Sequence, residues 1–384
     1  MFNINDEQNA LDKNALSTIQ SLYPKNFPTY KNLSKLVVNP LLQNDNASSY
    51  LSPQLTNAVT DDSIMLFNDS NIIDNTQEHV KVSINTNFST PAESNTLFSS
   101  MHQLACNNKI TINCDQENEK IILWLVFDFS LADQLVGYEF DINVSPGTHV
   151  ILKKIDIYNQ ESKGIINRRY NIRVHPNAVA ELVEISTLSA GMDNYIELNI
   201  EQLHSSSTFL KSFDAGAQIT QKTLNVNLVG DLAKFNFEGI IYTKNKEIAE
   251  QIVKANHLAS NTSSNQNHRI LSGGESKGRF HSTIHTVQDI KNIDAHQLSK
   301  NLLLSKKASI TTYPILEINT DDIQCSHGAT IGMLNPEHIL YLRSRGIPEQ
   351  EAAKILIEGM ISEFFNKEEF NFERDIIDSW VKHS

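Results

Sequence analysis

The sequence predicts a mainly β protein with helical regions at its two ends, and three observations support that expectation. Apolar and polar residues alternate with period two through much of the middle of the chain. Turn-forming clusters separate these runs at intervals mostly too short for the crossover helix of a dozen or more residues that an ordinary parallel sheet needs. After Pro336 the apolar spacing becomes that of a helix.

In chain order, residues 1–78 mix Asn, Ser, Pro and scattered apolar side chains, with a helical stretch from Asp6 to Leu22 closed by Pro24. They read as an irregular, partly helical N-terminal region. Residues 79–332 form the β core. Ile110, Ile112 and Cys114 alternate with Thr111 and Asn113, and Tyr138, Phe140, Ile142 and Val144 alternate with Glu139, Asp141 and Asn143. The same pattern returns at Tyr170, Ile172 and Val174, at Ile196, Leu198 and Ile200, at Leu224, Val226 and Leu228, and at Phe235 and Phe237. SerProGly at 145–147, HisProAsn at 175–177 and AspAlaGly at 214–216 supply turns. Two architectures fit, an antiparallel sandwich or a parallel β-solenoid, and no strict repeat length chooses between them. The polar segment 247–280, rich in Ser, Asn and Gly, reads as a long loop.

Residues 333–384 are expected to be helical. Asn335 is a good N-cap with Pro336 at the first helical position, and Gly346 closes that helix. Pro348 opens a second, in which Ala353, Leu356, Ile357, Met360, Ile361 and Phe364 share one apolar face. A last amphipathic piece runs from about Phe370 to Trp380. Such a face packs on the protein's own core, docks a partner, or divides its two sides between them.

Composition removes several functions. Of 384 residues, 40% are hydrophobic and 20% charged, which suits a globular chain rather than a disordered one. No apolar run approaches the ~20 residues that span a bilayer, the longest, Ile121 to Phe129, being one buried strand. A polar N-terminus with early acids is unlike a secretory signal, so a cytoplasmic location and no membrane partner are expected. A net charge of −13 argues against nucleic acid. Gly273 to Arg279 comes nearest to a phosphate loop but lacks its lysine and hydroxyl, so it reads as a glycine-rich turn and the chain is expected to bind no ATP itself.

Cys106, Cys114 and Cys325 form no CxxC, which suits a reducing compartment and is too few thiolates for a resident iron–sulfur cluster. Cys325 and His327 stand two residues apart, so in an extended segment thiol and imidazole share a side. Ile323 falls on that side too and favours burial of the cysteine, while Gly328 allows close backbone approach. His281 and His285 share a strand face, His257 and His268 lie in the polar segment, and all four read as surface or edge residues. Cys106 and Cys114 read as core or strand residues.

One long stretch resembles the SufB/SufD family of cluster-assembly proteins. Its pieces are NTSSNQNHRILSGGESKGRFHSTIHT, DAHQLSKNLLLSKKASITTYPILEI, DDIQCSHGATIGML and LYLRSRGIPEQEAAKILIEG, covering residues 261–359 in the family's order. The CSHGAT element followed by LRSRGI looks like the SufD branch. The resemblance implies a right-handed parallel β-helix core between N-terminal and C-terminal helical regions, and a scaffold rather than an enzyme. It also implies pairing with SufB through the β-helix and with the SufC ATPase through the C-terminal helices, where Arg343 and Arg345 would contact the ATPase beside Ala353, Leu356, Ile357, Met360 and Phe364. On this reading His327, with Cys325, would ligate a transient Fe–S cluster shared with SufB. The alternatives are a SufB-like scaffold that nucleates clusters in its own right and a β-helix carbohydrate-active enzyme. The second needs an exposed carboxylate pair, whereas the adjacent Asp321 and Asp322 face opposite ways.

Overall fold

The computed structural model describes residues 132–158 and 162–383 without interruption, together with shorter pieces between residues 37 and 129. The helix expected from Asp6 to Leu22 lies outside the described residues. Six strands open the fold: β1 (Val37–Val38), β2 (Leu42–Asn44), β3 (Ser63–Asn68), β4 (Asn71–Asn75), β5 (Val80–Asn85) and β6 (Lys109–Cys114). Then follow β7 (Lys120–Phe129), β8 (Ala132–Val144), β9 (His149–Tyr158), β10 (Lys163–Val174), β11 (Val179–Thr187), β12 (Gly191–Gln202), β13 (Ser207–Ala215) and β14 (Ile219–Leu228). The last strands are β15 (Lys234–Thr243), β16 (Ile248–His257), β17 (Ser263–Ser272), β18 (Lys277–Thr286), β19 (Ile293–Leu303), β20 (Ser309–Glu317) and β21 (Ile323–Met333).

From β6 onward, even-numbered strands stack in one sheet and odd-numbered strands in another, and from β8 each strand runs parallel to the strand two positions earlier. The chain therefore winds as a parallel β-solenoid of about seven coils, and the sandwich is excluded. Asp193 pairs with Ile219, 26 residues on, whereas Lys277 pairs with Ser309, 32 residues on. Coils of unequal length explain why no strict repeat is visible. Period-two alternation arises because inward residues of both sheets fill the lumen. Ile142, Ile172, Ile200, Val226, Ala255 and Ile284 stack in register on successive coils and are all buried. Outward asparagines run beside this stack: Asn171 donates to Asp141 at 2.9 Å, Asn199 to Asn171 at 3.1 Å and Asn225 to Asn199 at 3.0 Å.

At one corner the turns also stack. Asn177, Ser205, Leu232 and Asn261 adopt left-handed φ values of 59, 55, 63 and 56°. Their N–H groups donate to carbonyls of the next coil, from Asn177 to His204 and from Asn261 to Lys291. Asparagine suits such a position because it tolerates left-handed backbone.

The two ends of the solenoid differ. At the N-terminal end β3 pairs antiparallel with β4, and β5 antiparallel with β6. Because β3 also runs parallel to β7, with Met65 and Phe67 in the core, sheet structure begins before residue 79. At the C-terminal end β20 and β21 are the edge strands, each paired on one side only. Helices α1 (Pro336–Ser344), α2 (Glu349–Ser362) and α3 (Asn371–His383) follow. Asn335 caps α1 by accepting from the N–H of Glu337 at 2.9 Å, and Gly346 takes φ 86° beyond its end. Among the described residues, no helix is long and apolar enough to cross a membrane.

Candidate functional site

Cys325 and His327 lie on β21, opposite Ala295 and Gln297 of β19, which are buried and point into the lumen. The two side chains thus occupy inward positions on the same face, as the spacing predicts. Both are nevertheless exposed, and the expected burial of Cys325 is not found. The reason is position along the axis: an inward residue is buried by the coil on each side, and the last coil has a neighbour on one side only. Gly328 faces outward, where an added Cβ would come within 3.2 Å of Leu298, so the close approach is to β19. Beside it Ser326 bonds His296 at 2.6 Å, and His296 contacts Asp294 at 2.8 Å.

The same open end shows large apolar side chains: Tyr313 (52% exposed) and Ile315 on β20, and Ile331 (46%) and Met333 (54%) on β21. Helix α1 buries no residue, and its Leu340 and Tyr341 are exposed. Arg343 and Arg345 are exposed here too, the former 3.3 Å from Glu349 and the latter over the Tyr341 ring at 5.4 Å.

The other residues expected to dock a partner behave differently. Ile357 and Phe364 are buried and Met360 is packed beside them, while Ala353 and Leu356 are half-buried. The face they form lies on the outer side of the odd-numbered sheet, against Phe213, Ile240, Leu271 and Leu302, with α3 adding Ile377, Trp380 and Val381. Cations on that sheet fasten the helices. Arg269 donates to the Met360 carbonyl at 2.7 Å, bonds Glu363 and stacks over Phe364 at 4.3 Å. Lys211 donates to the Phe364 carbonyl at 3.1 Å, and Lys153 pairs with the buried Glu373 at 2.8 Å. The apolar face of α2 is thus spent on the protein's own solenoid.

Residues 140–360 match the family described as SUF system FeS cluster assembly, SufBD core domain. The chain belongs to the SufB/SufD family. It is 24% identical over 257 residues to the iron–sulfur cluster assembly protein SufD of Escherichia coli, covering 66% of this chain and 61% of that protein. An iron–sulfur cluster assembly SufBD family protein of Synechocystis is 30% identical over 154 residues, covering 40% of this chain and 34% of the relative. One of Staphylococcus epidermidis is 28% identical over 149 residues, covering 39% and 32%. The chain therefore spans 61% of the E. coli relative and about a third of the other two.

In this SufB/SufD member the sequence reading missed two features, both hidden by burial. Segment 247–280 is no loop but β16, β17 and the start of β18. Its polarity is internal: His268 bonds Gln251 at 2.6 Å and stacks on Phe280 at 3.9 Å, Ser282 donates to Gln266 at 2.6 Å, and His257 bonds Thr262 at 2.8 Å and Ser264 at 2.9 Å. Burial drives the imidazoles of His257 and His268 down to about 4 and about 3. His281 and His285 do share the outer face of β18, half-buried, and Gly273 and Gly274 do form a turn.

The second feature is a charge cluster between the sheets. Arg168 grips Asp156 through two bonds of 2.5 and 2.8 Å and reaches Asn194 at 3.0 Å; Lys222 bridges Glu184 at 2.5 Å and Asp214 at 3.1 Å. Burial disfavours ionised Asp156, but Arg168 and Lys154 outweigh it and hold the carboxyl at about 2. Burial also lowers Lys154, beside Glu184 at 3.5 Å. Residues such as Arg168 and Asp156 carry no pairing signal in sequence, because the coil that joins them is not visible there.

Proposed function

We propose that the chain is a scaffold subunit for iron–sulfur cluster assembly, not an enzyme, working in the cytoplasm with a SufB-type subunit and a SufC-type ATPase. Family membership supports the assembly role. The pairing is inferred from one observation: the last coil turns an inward face bearing Cys325 and His327 into solvent, fringed by Tyr313, Ile315, Ile331 and Met333. Exposed edge strands with an apolar fringe suit strand-by-strand pairing with a second sheet edge.

The nascent cluster is cargo in this reading. A thiolate and an imidazole are two of the four ligands that a cluster needs, so the remainder come from the partner, and cargo bound by two chains is easily released. Neutral imidazole suits iron, and its loss weakens the cluster without removing the apolar contacts. For the ATPase, the surface left uncovered is that of α1, with Leu340, Tyr341, Arg343 and Arg345, rather than the apolar face of α2. ATP is hydrolysed by that partner.

The test is His327→Ala in the three-protein complex, with complex yield read by gel filtration and iron and sulfide by chemical assay on the same preparations. Normal yield with lowered iron is expected. Unchanged iron overturns the ligand role, and loss of the complex shows an interface residue instead. Cluster reconstitution on the isolated chain separates this reading from a self-sufficient scaffold.

A further inference from the structure

At the opposite end of the solenoid, Ala105 and Cys106 lie against the outer face of β8 at Gly137, with the Cys106 N–H bonded to the His102 carbonyl at 2.8 Å. The side chains of His102 and Cys106, four residues apart, therefore share a face, and Glu139 on β8 meets them. All three are at least nine-tenths buried, at 0, 1 and 4% exposure, and one ligand atom from each lies within 4.8 Å of the others.

The hydrogen bonds around the imidazole fix its tautomer. Asn167 donates its amide hydrogen to the Phe98 carbonyl at 3.2 Å, so its oxygen is the atom 2.7 Å from His102 Nδ1, and Nδ1 carries the hydrogen. Nε2 then turns a lone pair toward Glu139 Oε2 at 3.1 Å. Two acceptors at that distance need a cation between them, either a second ring proton or a metal ion. A thiol at the same point favours the metal. We propose that His102, Cys106 and Glu139 form a divalent metal site of the zinc class, separate from the open end, with Asn167 as the residue that positions the histidine. Imidazole, thiolate and carboxylate are the zinc donor set, and an imidazole whose other nitrogen donates to a fixed oxygen is the usual arrangement at such centres. With bonds of about 2.0–2.3 Å, tetrahedral ligand atoms stand about 3.3–3.6 Å apart; the imidazole and carboxylate, at 3.1 Å, are already that close, and an approach of about 1 Å by the thiol closes the site. Three protein ligands leave the fourth position for water.

Glu139 also serves neighbouring cations. Lys109 lies 3.3 Å from Oε1 and is shared with Asp141 at 2.7 Å, Arg169 lies 4.0 Å from Oε2, and Asn171 lies 3.5 Å from Oε1. The thiolate adds the negative charge that offsets them when metal enters. Gly137 makes the approach feasible, since a Cβ there would stand 2.7 Å from Ala105 Cβ and 2.9 Å from Cys106 N.

The full-length chain, stripped with chelator and confirmed folded by circular dichroism, is titrated with Zn²⁺ and separately with Co²⁺, whose thiolate charge-transfer absorption reports Cys106 directly. One metal per chain and that absorption are expected. Cys106→Ser should abolish the absorption, His102→Gln should weaken Zn²⁺ at least tenfold, and Asn167→Leu should weaken it about 10–100-fold. Cys325→Ser/His327→Ala should leave both readouts intact. Absence of the cobalt–thiolate absorption in the folded wild-type chain overturns the site, as does undiminished Zn²⁺ binding in Cys106→Ser/His102→Gln, and a proton then joins His102 to Glu139.

Discussion

At the scale of single residues, burial sets the chemistry, and it follows position along the solenoid axis as much as residue type. Cys114, at the end of β6 and covered by β5 on one side and β8 on the other, has its thiol pushed up to about 12 by burial, whereas Cys325, equally inward, stands in solvent. Their sequence surroundings are alike, since alternation reveals the face a residue points to but not whether another coil follows. His257 and His268 carry a measurable consequence. Their folded pKa values lie below the ordinary 6.5, so below that pH the unfolded chain takes up protons that the folded chain refuses. Their contribution to stability is complete above 6.5 and is lost as pH falls toward 4 and then 3, at up to about 1.4 kcal/mol per pH unit for each histidine. Thermal melts from pH 7.5 to about 5 should show the midpoint falling, with a shallower slope in His268→Gln. Equal slopes in the two proteins would show that His268 takes up its proton while folded.

Among elements, the C-terminal helices show where sequence reading succeeds and where it stops. Asn335, Pro336 and Gly346 mark the bounds of α1 through local hydrogen bonding and backbone preference, and so were legible. The apolar stripe of α2 was legible too, but a stripe does not name its target. The target is the outer face of the odd-numbered sheet, whose own signal is runs such as Trp124–Val126, buried on both faces and hence not alternating. Phe364→Ala should accordingly cost about 3–5 kcal/mol in chemical denaturation, because it empties the contact with Arg269 as well as the apolar pocket. Leu340→Ala on α1, at 65% exposure, should stay within about 0.5 kcal/mol yet weaken ATPase capture. An ATPase that binds Leu340→Ala normally would remove α1 from the docking surface. Of the buried trio the sequence singled out only Cys106, as a core or strand residue, and His102 and Glu139 join it only through the fold.

For the whole molecule, winding decides what the sequence conceals. Coils of 26 to 32 residues hide the repeat, and a polar lumen at Ser264, Gln266 and His268 makes an interior strand read as a loop. The apolar half of the solenoid was readable because its inward positions follow the ordinary rule. Edge strands β20 and β21 carry exposed apolar side chains beside unpaired strand edges, and Ile331→Lys tests this surface. That variant should melt like the parent, within about 0.5 kcal/mol, yet fail to co-purify with a SufB-type subunit. Co-purification at parental yield would place the pairing surface elsewhere.

The antiparallel pairs at the other end give this surface a further meaning. Adding coils head to tail would require the parallel edge of one molecule to continue into β5 or β2, where the winding has already been interrupted by strands of opposite direction. Two open ends meeting about a twofold axis consume each other and leave no edge to extend, so the contact closes on itself. A solenoid open at its last coil would therefore complete a pair through that end without seeding a fibre, and such a closed contact would let a protein carry an exposed, aggregation-prone edge through its life in a crowded cell.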